Sequence, residues 1–408
     1  MNRELSVMEK MERELNLKRL QIRSLSNITQ AINDNISQEG LFRMYNTFLS
    51  WEMGIKKMAL YINTDGEWVC SSVINFDAER YPDISEYFDS IKRLHTVKNN
   101  NHPGIKQFDI IIPVFHKEQP IAYALIGGIQ DKEDMFNQIE FITTITNIIA
   151  VAIENKRLFK RQLEQERYRR ELELAKEVQS LLIPENLPNN SKYCLSKIYQ
   201  PHYNVGGDYL DFIKFDDDRF AFCIADISGK GVAAALLMAN FQAMIQSLIF
   251  QYRDLETFVF ALNQSVYRIT KGDRFITFFV AEVDIAKKKL RYINAGHFPP
   301  LLKSGNDEVV KLESGCTVIG AFEQLPYIEE GKIDLKQETI ILSFTDGLAD
   351  LKNLQGQYFE EEKIFEFVNK NKHLPPIEFN QKLLLEIDRF KEDRPIADDI
   401  AVLTCKIF

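Results

Sequence analysis

The chain has 408 residues, 45% of them hydrophobic, and a formal net charge of −9. That length allows two or three domains of ordinary size, the acidic balance removes the basic footprint of a nucleic-acid binder, and no run of about 18 uncharged apolar residues or signal-peptide core points to a membrane. The five cysteines, at 70, 194, 223, 316 and 405, show no Cys-x-x-Cys pair, so neither zinc ligation nor a disulfide framework is expected, and a soluble, cytoplasmic protein with reduced thiols is.

In chain order, the first feature is a helical stripe of Met8, Met11, Leu15, Ile22, Leu25 and Ile32, interrupted by Lys18 and Thr29. A short coiled coil and a helix laid on its own domain both fit, with self-association favoured; the separate N-terminal helix is placed at 1–22. A second helix follows at 38–53, then β-rich runs at 57–62 and 68–74 joined by a turn containing Asp65-Gly66. Further β-runs occupy 108–115 and 120–129, and a long helix begins near Asn137. Helices at both ends of a mid-sized antiparallel sheet resemble the GAF class of small sensory domains, over 23–154. The resemblance implies a pocket for a small ligand, of unknown identity; dimerisation alone is the other role such a domain takes. No cysteine suits a bilin, no cluster suits haem or an iron-sulfur centre, and His95, His102 and His116 read as solvated loop residues.

The helix from 137 to 182 meets neither Pro nor Gly until Pro184. Its middle, 156–173, alternates in charge, and Tyr168, Leu172, Ala175, Val178 and Leu182 restore an apolar stripe. The linker is placed at 155–189. A single solvated spacer and a parallel dimeric signalling helix both fit; the second is favoured and makes the chain a homodimer. Docking of 171–183 on the following domain in either of two arrangements would then transmit a signal.

The last half carries four acidic signatures: Gly206-Gly207-Asp208, Ala225-Asp226-Ile227-Ser228-Gly229-Lys230-Gly231, Thr345-Asp346-Gly347 and Asp398-Asp399-Ile400. The apolar runs 220–225 and 340–344 lead into Asp226 and Asp346, with Gly within three residues, so these carboxylates are expected at strand ends beside tight turns. An isolated Asp-Gly is usually an Asx-turn or cap. Several aspartates gathered at one place repel one another unless a cation neutralises them, and all-oxygen donors suit magnesium or manganese.

With Val205 to Phe212, Asn294-Ala295-Gly296-His297-Phe298-Pro299-Pro300 and Ser343 to Leu348, the region resembles the metal-dependent type 2C protein phosphatases, in the bacterial branch of the sporulation stage II protein E and sigma-regulator phosphatases. The resemblance implies an α+β chain whose residues 190–408 form an α-β-β-α sandwich. It further implies two divalent cations, manganese or magnesium, that activate a water. Asp226 would bridge them, with the Ile227 carbonyl on one; Asp346 and Asp398 would hold the other, and Asp208 would act on the first directly or through water. Asp226, Asp346 and Asp398 are thus the catalytic set, with Gly207 and Asp399 behind them. Ser228 stands where eukaryotic relatives carry a histidine general acid, and no arginine matches their phosphate anchor. On the Gly229-Lys230-Gly231 turn, Lys230 reads equally as a phosphate contact and as a solvated lysine; His297 reads as structural. The implied substrate is a phosphoserine or phosphothreonine protein, a STAS-type anti-sigma-factor antagonist. A binding-only pseudophosphatase and a metal-dependent nucleotide enzyme are the alternatives; the full set of aspartates opposes the first, and the lack of a base-recognition or histidine-rich signature opposes the second.

Overall fold

The computed structural model describes residues 2–408 apart from 98–101, 130–134, 203–204, 253 and 337. The chain divides into two compact units, 1–166 and 167–408.

In the first unit, helices α1 (Asn2–Asn33) and α2 (Gln38–Thr47) precede strands β1 (Lys57–Thr64), β2 (Glu67–Ile74), β3 (His95–Thr96), β4 (Ile110–His116) and β5 (Gln119–Gly127), and helix α3 (Met135–Ser180) follows. The strands form an antiparallel sheet in the order β2-β1-β5-β4-β3. Strand alternation sorts the two faces. Met58, Leu60 and Ile62 pack with Ile28, Leu41, Tyr45 and Ile145 of the helices, whereas Ala59 and Tyr61 join Phe88, Tyr123 and Trp68 on the opposite face. Over that aromatic face opens a cavity of about 510 Å³, lined by Tyr61, Trp68, Cys70, Phe76 and Tyr81 among others.

Four expectations change here. Helix α1 does not end at 22 but continues to Asn33, and its stripe divides: Met8, Met11, Leu15 and Ile22 are exposed while Ile28 is buried and Leu25 and Ile32 pack on the core. The second helix loosens into a π turn at Phe48–Glu52. His102 is no solvated loop residue: it is buried, its Nδ1 accepts from the amides of Gly104 and Ile105, and its Nε2 therefore donates to Asp83 at 3.0 Å. Lastly, α3 contains a window of mean hydropathy 1.4, apolar enough by length and composition to cross a membrane. Its Ile142, Ile145, Ile149 and Ile153 are instead buried against the sheet.

In the second unit, the last residues of α3 lead to β6 (Tyr193–Gln200), β7 (Tyr209–Lys214), β8 (Arg219–Ile227), α4 (Val232–Leu248), α5 (Leu255–Thr270), β9 (Ile276–Asp284) and β10 (Lys289–Ala295). Then come β11 (Leu301–Ser304), β12 (Val310–Lys311), β13 (Gly315–Cys316), β14 (Gly331–Asp334), β15 (Thr339–Phe344), α6 (Asp346–Ala349), α7 (Glu361–Asn371), α8 (Pro376–Lys391) and β16 (Ile400–Ile407). One sheet runs β13-β10-β9-β8-β7, with β14 also on β10; the other runs β12-β11-β15-β16-β6.

The layering follows from side-chain alternation along the strands. From β8, Phe220, Phe222 and Ile224 meet Leu195, Ile341, Ala401 and Leu403 of the other sheet in a shared core. The intervening Ala221, Cys223 and Ala225 pack instead under Phe241 of α4 and Phe258 of α5. On the far side, Ile340, Leu342 and Val402 meet Phe367 of α7 and Phe379 and Leu383 of α8. Both faces of both sheets are covered, which explains why the strands read as continuous apolar runs. The unit is the α-β-β-α sandwich that the resemblance implied.

Phe241 has 0% exposure and meets Phe278 edge-on at 5.2 Å. Truncation to alanine would leave a ring-sized cavity, and Phe241→Ala is expected to lower unfolding free energy by about 3–5 kcal/mol in urea denaturation.

Candidate metal centre

The four acidic signatures all lie where strands of the sandwich begin or end. Asp226 is the penultimate residue of β8 and Asp208 immediately precedes β7. Since Tyr209 pairs with Ala225, the same register carried one residue further sets Asp208 opposite Asp226. From the other sheet, Asp346 opens α6 directly after β15, and Asp398 and Asp399 immediately precede β16. Pairing of Phe344 with Val402 holds those two segments side by side.

Burial and mutual repulsion mark these acids as one group. Asp208 is 2% exposed; burial first, and then the charge of Asp226, push its carboxyl well above the usual range. Asp226 is pushed up to about 7 by burial and then by Asp346, Asp398 and Asp399, with Lys230 opposing. Asp346 is raised by burial, by Asp398 and by Asp350. Among the described residues no three His, Cys, Asp or Glu side chains converge closely enough to grip one ion as they stand. The Lys230 ammonium takes Asp398 Oδ2 at 2.7 Å.

The donor chemistry fits hard divalent cations nonetheless. The set is all oxygen, partly buried and short of compensating charge, which is the condition a metal relieves. Gly207 supplies independent evidence of a cradle: a Cβ there would lie 3.0 Å from the Ile227 carbonyl oxygen and 3.7 Å from Asp226 Oδ1. Only a residue without a side chain leaves the space between those two oxygens open.

Several neighbours were not legible in the sequence. The Thr345 hydroxyl donates to Asp208 Oδ2 at 2.8 Å and accepts from the Ala401 amide at 3.0 Å, tying one sheet to the other. Tyr199 Oη donates to the Asp208 carbonyl at 3.2 Å. Asp399 has both oxygens engaged by backbone, accepting from the amides of His202 and Gly207 at 2.7 Å each. It ties His202 and Gly207 to the start of β16. Arg274 escaped notice altogether: its Nη1 donates to the Ser228 carbonyl at 2.8 Å, and it packs against Gly229 so closely that a Cβ would overlap it. No spacing signal links it to the loop, because the approach comes from the turn before β9.

The remaining candidates are held by their neighbours as follows. Ser228 accepts from the Phe275 amide at 2.9 Å, and its own amide donates to the Phe275 carbonyl. Gly229 and Gly231 adopt φ of 100° and 71°, conformations that glycine takes without strain, and Gly231 precedes the first turn of α4. His297 is buried, with its amide on Asn294 Oδ1 and its Nδ1 on the Thr277 hydroxyl. Burial pushes its imidazole down to about 4. Asp211, inside the quoted 205–212 segment, accepts from Tyr209 Oη and Gln246 Nε2.

The profile of the stage II sporulation protein E (SpoIIE) family matches residues 216–408. Among curated proteins, the chain is 28% identical over 225 residues to phosphoserine phosphatase RsbU of Bacillus subtilis, across 55% of this chain and 66% of that protein. It is 24% identical over 235 residues to phosphoserine phosphatase RsbP of the same organism, across 57% of this chain and 56% of that protein. The chain thus spans between half and two thirds of these relatives' length. Among solved structures, the SiaA PP2C domain of Pseudomonas aeruginosa superposes with a TM-score of 0.54 at 19% identity, over 60% of this chain and 99% of that one.

Proposed function

We propose, from the premise that residues 216–408 carry a domain of the stage II sporulation protein E family, that the chain is a metal-dependent protein serine/threonine phosphatase. The observation that carries the reading is the meeting of Asp208, Asp226, Asp346 and Asp398 at one edge of the sandwich, with Gly207 keeping the Ile227 carbonyl open. Asp208, Asp226, Asp346, Asp398 and the Ile227 carbonyl are the groups that would hold two manganese or magnesium ions. Such a pair, when bound, supplies a water of lowered pKa and neutralises charge on a phosphoryl group.

The chain's own residues divide the other tasks. Thr345 orients the Asp208 carboxylate. Lys230, paired with Asp398, and Arg274, on the Ser228 carbonyl, put two cations on and beside the 228–231 loop, and in this reading they are available to phosphate oxygens. Neither Ser228 nor His297 serves as general acid in this reading: the serine hydroxyl, which accepts from the Phe275 amide, is too weak an acid near neutral pH, and the imidazole stays neutral near pH 7. Leaving-group protonation therefore falls to water.

Two relatives are named phosphoserine phosphatases, and the substrate we assign is a phosphoserine or phosphothreonine on a STAS-type anti-sigma-factor antagonist in a partner-switching circuit. We assign the first unit as a GAF-like sensor that regulates the activity through α3 in a cytoplasmic homodimer. Its aromatic cavity is the place for a small ligand.

Purified full-length chain should release inorganic phosphate from phosphoserine proteins with manganese and stop on addition of EDTA. A phosphoproteome compared with and without the protein should show one serine or threonine site gaining phosphate in its absence. Manganese-independent release, or turnover of nucleotides with none of phosphoproteins, would overturn the assignment.

A further inference from the structure

Helices α7 and α8 lie side by side over the second sheet and run in opposite directions. Phe359, just before α7, meets Phe390 near the end of α8 edge-on at 5.0 Å, and Phe367 meets Phe379 near the start of α8 at 5.0 Å. Ile364, Val368, Leu383 and Ile387 hold the two helices in the core beneath. Their outer surfaces leave a groove of about 640 Å³ between them. Positions 363, 366, 367 and 370 of α7 line one wall and positions 382, 385, 386 and 389 of α8 the other, the three- and four-residue steps of a single helical face on each side. At the helical rise each wall is about 10 Å long, two turns.

The groove has an apolar floor and a cationic rim. Phe359 and Phe367 are buried along the floor, Phe390 is half-buried, and Leu385 on the wall is 58% exposed. Lys363, Lys370, Lys382 and Arg389 stand against two carboxylates, Glu366 and Glu386. Among the described residues, the ion pairs formed by α7 and α8 are Lys311–Glu361, Arg389–Glu386 and Lys391–Asp388. Lys363, Lys370 and Lys382 are in none of them. Lys363 lies over the Phe390 ring at 4.3 Å, and Lys382 donates to Asn371 Oδ1 at 3.5 Å. A chain of net charge −9 thus keeps three ammonium groups without a carboxylate around an apolar channel, and anionic side chains of another molecule would neutralise them.

We infer that the α7–α8 groove is a docking site for an acidic amphipathic helix of a partner protein. Charge selects the acid, with carboxylates of the partner meeting Lys363, Lys370 and Lys382. Shape selects the helix, because a channel between two helices accepts the ridge of a third, whose apolar stripe covers Leu385 and the aromatic floor. That floor, and the Glu366 and Glu386 carboxylates on the rim, disfavour a nucleic-acid backbone or a lipid headgroup. Docking is independent of the metal centre, since none of these side chains is among its donors. It is nonetheless close by in the chain: the Phe359 amide donates to the Leu351 carbonyl at 2.8 Å, just beyond α6, and Arg394, after α8, donates to the Asn353 carbonyl at 2.8 Å. A partner in the groove is therefore held beside the segments that carry Asp346 and Asp398.

The test is fluorescence anisotropy with the full-length chain and a fluorescein-labelled synthetic peptide of about 18 residues, long enough to form a helix. It carries leucine at every third or fourth position, glutamate flanking each leucine and alanine elsewhere. The parent should bind it, and the same peptide with lysine for every glutamate should not bind. Lys370→Glu combined with Lys382→Glu is expected to raise the dissociation constant at least about tenfold, and Leu385→Gln to raise it about threefold to tenfold. Binding should also weaken as sodium chloride rises from about 50 to about 500 mM. Lys160→Glu, the same charge reversal on an exposed part of α3, should bind as the parent does. Thermal unfolding should match for all of these variants, whose substituted side chains are exposed. Should the double variant not fold, Lys370→Gln removes one charge and is expected to weaken binding about twofold to fivefold. No binding of the acidic peptide by the parent, or equal binding by the parent and the groove variants, overturns the proposal, as does equally tight binding of duplex DNA or of phosphatidylglycerol vesicles. A parent dimer that the double variant splits in sedimentation also overturns it, since the occupant is then a second copy of this chain.

Discussion

Asp226→Asn is expected to reduce phosphate release about a thousandfold or more, and yet to make the cation-free chain more stable at pH 8. The activity loss follows from removing the carboxylate shared by both proposed ions, a larger defect than loss of a single electrostatic donor, which itself costs about 10²–10³ in rate. The stability gain follows from linkage. The Asp226 carboxyl is pushed up to about 7 from 3.8 by burial and by its acidic neighbours, so between those values the folded state holds more protons than the unfolded one and stability falls as pH rises. Below about 4 both states are protonated and the penalty is absent; above about 7 it is complete, on the order of 2–4 kcal/mol. Asparagine carries no such charge. Urea unfolding in EDTA at pH 5 and pH 8 checks this: the parent should weaken between the two while the variant changes less. A variant less stable than the parent at pH 8 would show that the acids are not a strained, cation-seeking group.

Gly347→Ala is the second large effect, and it acts through shape. A Cβ at 347 would lie 1.9 Å from the Asp399 carbonyl oxygen and 2.9 Å from its carbon. Those are backbone atoms, so no rotamer change relieves the overlap. The start of α6, with Asp346, and the segment before β16, with Asp398, must move apart. Overpacking of this kind costs about 1–3 kcal/mol, occasionally more, and manganese affinity should fall at least about tenfold because ligands on both segments shift. Calorimetry and urea denaturation measure the two losses; parent-like values in both would mean that the segments are not held together as described.

Much of the acidic edge could be read from composition and pattern. The runs into Asp226 and Asp346 are strands because β-branched and aromatic residues fill them, and their acids fall where the apolar pattern stops. What pattern could not reveal is which of the neighbouring acids does what. Asp398 and Asp399 are adjacent in sequence, but Asp398 faces Lys230 while Asp399 is consumed by two amides far away in the chain. Thr345 and Arg274 likewise act across long separations, and a lone threonine or arginine carries no spacing signature. In the first unit the strands were legible within a few residues, whereas the 3-10 segment Pro82–Ser90 and the two-residue β3 are too short to impose a period. His102 was misjudged for the same reason: its burial is set by Asp83 and a backbone turn, neither of which shows in hydropathy.

Strand β16 lies between β15 and β6, so residues 193–200 pair directly with residues 400–407. During synthesis β6 emerges from the ribosome roughly 10–40 s before its neighbour, at about 5–20 residues per second. Helices α4 and α5 can close over the first sheet in that interval, but Asp398 and Asp399 are still to come. The acidic edge is therefore completed only after the first sheet and its helices have been made, and a copy cut before residue 398 keeps the first unit and the first sheet but lacks Asp398 and Asp399.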